Sequence, residues 1–193
     1  AAAAGGVTTL LDMPLNSIPP TLDADALAVK RAAAQGQCAV DVGFWGGAVP
    51  ANLGNLAPLL DAGVFGVKCF LPDSGVEEFP ALGTDGLLRA CEELAGLDGL
   101  LLVHAEDPAV LAVAPAAGGR SYGGFVASRP AAAEDAAVGA VLDAARRTGA
   151  GGIGAGARGG WAIIGDVSDR KSPLDRALDL FVYGPIGFAL EAR

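Results

Sequence analysis

The chain has 193 residues, enough for one domain, and its 52% hydrophobic against 18% charged residues exclude a disordered segment. A formal charge of −9 and a pI near 4.4 leave no basic footprint for nucleic acid or an anionic membrane surface, so neither is expected as a partner. Three cysteines (Cys38, Cys69 and Cys91), without CxxC or CxxH spacing, argue against a disulfide framework or a structural zinc site and for a reducing, cytoplasmic setting.

The opening AAAAGG reads as the last turn of a helix stopped by Gly5 or Gly6, so the chain is expected to begin inside a larger unit. A strand is predicted over Val7–Met13, followed by a long loop (PLNSIPPT) and a helix over Asp23–Gln35 ending at Gly36. The next strand spans Ala39–Trp45, with the loop GGAVPANLG and a helix over Leu53–Ala62 stopped at Gly63. A third strand covers Val64–Leu71, then the loop PDSGVEEFP and a helix over Thr84–Ala95 before Gly96. Leu100–His104 is the fourth strand; after it come an irregular Gly-rich loop over Ala116–Gly124 and a helix over Arg129–Arg147. No stretch of 18 apolar residues is free of charges or Gly/Pro punctuation, and the first residues lack the basic start of a signal peptide, so a soluble protein is expected.

The four strands are nearly continuous in hydrophobicity, as parallel strands covered on both faces are. Alternation with helices makes this an α/β chain of right-handed βαβ units. No GxGxxG follows the first strand, and the strand-to-helix loops are long and polar-tipped, which favours a (β/α)8 barrel over an open doubly wound sheet. About four βα units are visible, so the fold class is a partial barrel over residues 1–149. Residues 150–160 (AGGIGAGARGG) read as a Gly-rich linker. Residues 161–193 read as a divergent tail holding a short apolar run at Trp161–Ile164 and a helix over PLDRALDLFVY, capped by Ser172 with Pro173 in its first turn.

Lys68 is one of three lysines and sits inside an apolar strand, GVFGVKCFL. Burying an ammonium is costly, so it is either a snorkelling lysine at a strand end or an amine of depressed pKa that can act as a nucleophile or be modified. His104, the single histidine, ends the fourth strand, where the active residues of parallel sheets gather, and is followed by Glu106 and Asp107. It is either a histidine bonded to a nearby carboxylate or a functional one; alone it makes no metal site. Asp12 and Asp41 could face the same mouth, but residues of this kind more often bond neighbouring backbone. Cys69 points away from Lys68 and is a buried small apolar residue. Arg129, before Pro130, could clamp an anion or pair with Glu134.

The runs GGVTTLLDMPLNSIPPT, VDVGFWGGAVPANLGNLAPLLDAGVFGVKCFLPDSGVEEFP, LLVHAED and FVASRP closely resemble allantoinases, cyclic amidohydrolases related to dihydroorotase and dihydropyrimidinase. The resemblance covers about residues 1–149. It implies a (β/α)8 barrel with two divalent metals, zinc by preference, that hydrolyses the cyclic amide of (S)-allantoin to allantoate in purine catabolism. It also implies that Lys68 carries a CO2-derived carbamate bridging the metals, that His104 binds one of them, and that Asn16 and Ser17 line the pocket of a small cyclic ureide. A homo-oligomer is implied for the intact parent.

The family pattern further holds an HxH pair in its first strand, a histidine in its sixth and an aspartate proton shuttle in its eighth, and none of these matches a residue of this sequence. Residues 150–193 carry nothing of the pattern. The expectation is therefore a fragment inactive on its own. Alternatives are hydantoinase, dihydropyrimidinase or dihydroorotase chemistry, or a non-catalytic remnant serving as an interaction module.

Overall fold

Apolar runs become strands and Ala/Leu-rich runs become helices, with ends set by capping. A computed structural model describes residues 1–116, 121–155, 161–164, 181–183 and 188–190, with side chains up to Ala150. After a single 3-10 turn at Ala3–Gly5, β1 (Thr9–Asp12) leads to α1 (Ala24–Ala34), and β2 (Asp41–Phe44) with β3 (Gly46–Gly47) leads to α2 (Ala57–Asp61). Then β4 (Val67–Phe70) leads to α3 (Gly83–Ala95), and β5 (Leu100–His104) to α4 (Pro108–Val113), α5 (Tyr122–Ser128) and α6 (Ala131–Thr148). Asp23 starts α1 by accepting the Ala26 N–H at 2.7 Å. Asp107 starts α4 by accepting from Ala109 and Val110. Gly149 ends α6 at φ 75°, a left-handed cap that costs a glycine little.

The strands β1 and β2 pair in parallel, as do β3 with β4 and β4 with β5. The chain changes partner at Trp45: its N–H bonds Asp12 O on the β1 side, while Phe44 O accepts from Phe65 N and Gly46 N bonds Gly66 O on the β4 side. Consecutive strands are therefore spatial neighbours, with no reversal of strand order, such as a doubly wound sheet requires, among the described residues.

Alternation along β4 and β5 sorts the side chains into two layers. Val67, Cys69, Leu101 and Val103 pack against Leu87, Ala90, Cys91 and Leu94 of α3 and against Ala137, Val141 and Ala144 of α6, forming the main core. Phe70 takes the other face, in a smaller cluster with Val49 and Phe79, flanked by Leu15, Leu22 and Val76 from the strand-to-helix loops. Gly47, opposite Lys68 in register, lies under that cluster, and a Cβ there would run into Phe79 and Leu22.

The structure differs from expectation beyond residue 148. The expected linker is a strand at its start: β6 (Gly151–Ala155) pairs in parallel with β5. The open edge of β5 presents unpaired N–H and C=O groups, and an extended glycine-rich backbone satisfies them without side-chain hindrance. The remaining linker residues, 156–160, lie outside the described residues. Further on, β7 (Trp161–Ile164), β8 (Phe181–Tyr183) and β9 (Phe188–Leu190) follow in antiparallel order, more strand than the single short apolar run predicts. Trp, Ile, Phe and Val favour a pleated surface, which accounts for these runs. The helix expected over PLDRALDLFVY ends in β8 instead; residues 173–180 lie outside the described residues.

Candidate functional site

Lys68 is the second residue of β4 and faces the inner, loop-covered side with Phe70. Its side chain is only 7% exposed, and no acidic side chain pairs with it among the described residues. The ammonium Nζ instead sits 4.8 Å above the Phe70 ring centre. Burial pushes the Lys68 amine below its ordinary value, with neighbouring Cys69 acting more weakly in the opposite direction. A lysine so placed is predisposed to the neutral amine, the form that adds to an electrophile.

His104 ends β5 directly across from Phe70, while Lys68 pairs with Leu102. In-register partners point to the same side, so Lys68 and His104 share the inner face. One strand spacing of about 4.8 Å and one pleat repeat of about 6.6 Å set their Cα atoms about 8 Å apart. The His104 ring stacks on Phe70, with centres 4.9 Å apart and planes 12° from parallel. One phenyl ring therefore touches both side chains.

Beside them lies a charged group that the sequence offers only as a neighbour of His104. Glu106 is 1% exposed, and its Oε2 accepts from His104 Nε2 at 2.9 Å and from Arg129 Nη1 at 2.6 Å. The carboxylate partner expected as one reading of His104 is thus Glu106, and Arg129 reaches that same oxygen. The sequence signals only the first contact, because Arg129 arrives from 23 positions along the chain.

Asn16 and Ser17 occupy the loop after β1. Asn16 is exposed; Ser17 Oγ is buried and has no hydrogen-bond partner. Thr21 Oγ1, further along the same loop, is also buried and unpartnered. The loop is tied down by Asn52, whose Nδ2 donates to Leu22 O at 3.0 Å and Gly47 O at 2.8 Å while its Oδ1 accepts from Val49 N. Sequence reasoning overlooks Asn52, since a lone loop asparagine carries no motif.

Other candidates fall elsewhere. Asp12 is bound at 2.7 Å by Lys30 of α1, which also donates to Met13 O. Asp41 begins β2 at the amino end of the strand, exposed, at a cleft of about 430 Å3 lined by Thr8, Cys38 and Val40. A second cleft, about 580 Å3, lies between α1 and β2 and is lined largely by alanines with Arg31, Val42 and Phe44, without a metal-donor side chain. Neither cleft contains Lys68 or His104. Among the described residues no three His, Cys, Asp or Glu side chains converge on one point, and no helix is long and apolar enough to cross a membrane.

No protein-family model matches the chain. An allantoinase of Streptomyces avermitilis is 57% identical over 147 residues, covering 76% of this chain and 33% of that protein. Over this stretch the chain is an allantoinase homologue. A match of that length in a 193-residue chain necessarily takes in Lys68, His104, Glu106 and Arg129. The allantoinase of Arabidopsis thaliana is 42% identical over 180 residues, covering 91% of this chain and 35% of that protein. That share exceeds what residues 1–149 contain, so the match to the plant allantoinase runs into residues 150–193. Among solved structures, the L-hydantoinase (dihydropyrimidinase) of Arthrobacter aurescens superposes with a TM-score of 0.74 at 32% identity, over 79% of this chain and 35% of that one. The chain spans about a third of the length of the allantoinases it matches.

Proposed function

We propose that residues 1–149 are the central part, about four βα units, of a (β/α)8 barrel in a metal-dependent hydrolase that opens the cyclic amide of (S)-allantoin to allantoate. The observation that carries this is the placement of Lys68: a buried lysine without an ion partner among the described residues, on the same inner face as His104, within a stretch homologous to allantoinases. The sequential order of β1 to β6, with long loops at the carboxyl ends of the strands, is barrel-like. Residues 161–193 are assigned no part in the chemistry.

The residues present fit part of a two-metal centre. Lys68 is buried and disposed to lose its proton, so its amine can add to the carbon of CO2, releasing one N–H proton to solvent and leaving an anionic carbamate with two oxygen donors. That conversion would account for a lysine in an apolar strand, because its carbamate oxygens would be the anionic donors that hold the cations. His104 supplies a nitrogen donor on the same face. Two divalent ions, zinc in this proposal, would when bound supply a water acidified enough to attack an amide carbonyl at neutral pH. The remaining donors are not among the described residues.

The other residues bind and exclude. Phe70, Phe79 and Leu22 cover the inner face and keep bulk water from Lys68. Asn16 and the unpartnered Ser17 Oγ are placed in the loop after β1, where they are assigned to the ureide's N–H and C=O groups. The substrate is a small cyclic ureide; neither nucleic acid nor a membrane is a partner, the setting is cytoplasmic and the intact enzyme is a homo-oligomer.

The likeness to L-hydantoinase favours one second reading, hydrolysis of a hydantoin or dihydropyrimidine ring. A chimaera tests both: residues 1–149 replace the corresponding third of the Streptomyces avermitilis allantoinase, and turnover of allantoin, hydantoin and dihydroorotate is compared. Preference for allantoin supports the proposal; preference for hydantoin supports the second reading; a folded chimaera inert on all three makes the segment a non-catalytic one.

A further inference from the structure

We propose that Lys30 is a positioning residue for substrate binding: its buried ammonium anchors the turn Met13–Asn16 and so holds Asn16 in place beyond the carboxyl end of β1. Helix α1 delivers the lysine. With Asp23 as the cap, Ala26, Leu27 and Lys30 fall on one helical face and are the buried residues of α1. The Lys30 side chain is 7% exposed, with Nζ 5.9 Å from the centre of the Phe44 ring of β2. An ammonium holds such a position when it is paired, and Asp12, the last residue of β1, supplies the charge at 2.7 Å. A second N–H of the same ammonium donates to Met13 O at 2.5 Å.

That carbonyl is also the acceptor of the turn. The Asn16 N–H reaches Met13 O at 3.4 Å, a long bond that holds a turn weakly. The charge-assisted bond from Lys30 fixes the shared acceptor, and Asp12 O, one residue earlier, is held by Trp45 N. Further along, Thr21 N bonds Pro14 O at 2.8 Å and closes residues 14–21 into a loop, whose far end Asn52 holds at Leu22 O. Lys30 therefore secures the entry of the loop as Asn52 secures its exit. An ion pair alone needs only Asp12; the bond to Met13 O is what passes the constraint on to Asn16. The role of Asn16 toward a ureide rests on the proposed hydrolase function, whereas the anchoring of its turn does not.

Two variants separate anchoring from ion pairing. Lys30→Met keeps the length of the side chain and leaves the Asp12 carboxylate unpaired; Lys30→Met/Asp12→Asn removes both charges and should recover most of the urea stability lost in the single variant. In both, amide exchange at Thr21 of the full chain should speed up about tenfold or more, while amides of β4 and β5 in the double variant exchange as in the parent. In the chimaera carrying residues 1–149, both variants should raise KM for allantoin about tenfold and leave kcat within about twofold, the mark of lost ground-state binding. Unchanged exchange at Thr21 in the folded double variant overturns the proposal. Faster exchange with an unchanged KM overturns the role in binding and leaves the anchor standing. A chimaera inert on allantoin before any substitution refutes the hydrolase reading instead, and exchange at Thr21 then decides the anchor by itself.

Discussion

Replacing Lys68 with methionine should stabilise the chain. The two side chains have similar length and volume, so the substitution removes the charge and little packing. What is lost is the contact of Nζ with the Phe70 ring at 4.8 Å, worth about 2 kcal/mol in a desolvated site. What is relieved is the desolvation of an ammonium that is 7% exposed and has no carboxylate beside it among the described residues, an effective penalty of several kcal/mol. The net expectation at neutral pH is a gain of about 1–3 kcal/mol. The sign with pH follows from the direction of the shift: the folded amine titrates below its unfolded value of 10.5, so the penalty is full below the folded pKa and vanishes as pH rises to 10.5. Over that window the unfolded chain holds the proton that the native one has released, and the stability of the unsubstituted chain rises relative to Lys68→Met.

The comparison is between the two proteins because burial raises the thiols of Cys69 and Cys91, the latter to about 11, which lowers stability with rising pH in both. Urea unfolding in CO2-free buffer at about pH 7 and about pH 10 measures the difference. A Lys68→Met chain less stable than the parent at neutral pH, or a difference that does not shrink with pH, would refute the reasoning.

Other perturbations separate packing from chemistry. Gly66→Ala should cost about 1–3 kcal/mol in urea unfolding, because its Cβ would stand 2.5 Å from the Leu100 carbonyl oxygen, which is backbone of β5, and 2.7 Å from the buried Trp45 ring. Asn52→Ala should cost about 1–3 kcal/mol and raise the protease sensitivity of the loop carrying Asn16 and Ser17, since three hydrogen bonds to Leu22, Gly47 and Val49 are lost together. Unchanged susceptibility of that loop would show that it is held by something else. The chain alone should not turn over allantoin with added zinc, because a catalytic zinc takes about three protein ligands and a pair takes more; turnover above a Lys68→Ala control would show that other side chains complete the centre.

Legibility followed physical range. The run LLLVH is a strand from first to last residue as predicted, because four consecutive apolar residues and a histidine between Gly99 and Glu106 are too few for a helix. The helix ends were close wherever a cap was visible: Asp23 opens α1, and α6, closed by Gly149, ends at Thr148, one residue beyond the expected Arg147. Val7–Met13 overran the strand at both ends, since hydrophobicity persists where pairing with β2 does not. Beyond Trp45 the expected loop GGAVPANLG opens with β3, because the change of hydrogen-bond partner there is a property of its neighbours. Gly151–Ala155 shows the same limit, its low-complexity composition giving no sign that β5 would recruit it. Within the site, Lys68 and His104 stood out as residues costly to bury in apolar strands. The Glu106–Arg129 bond and the Asn52 tie were not legible, being made by loop closure over 23 and 30 positions.

The most direct test of Lys68 as the bridge of a metal centre is a carbon-13 spectrum of the chimaera carrying residues 1–149, loaded with zinc in 13CO2-equilibrated buffer. The account predicts a carbamate resonance that vanishes, together with allantoin turnover, in Lys68→Arg. Full turnover without that resonance, or turnover undiminished in Lys68→Arg, would contradict it.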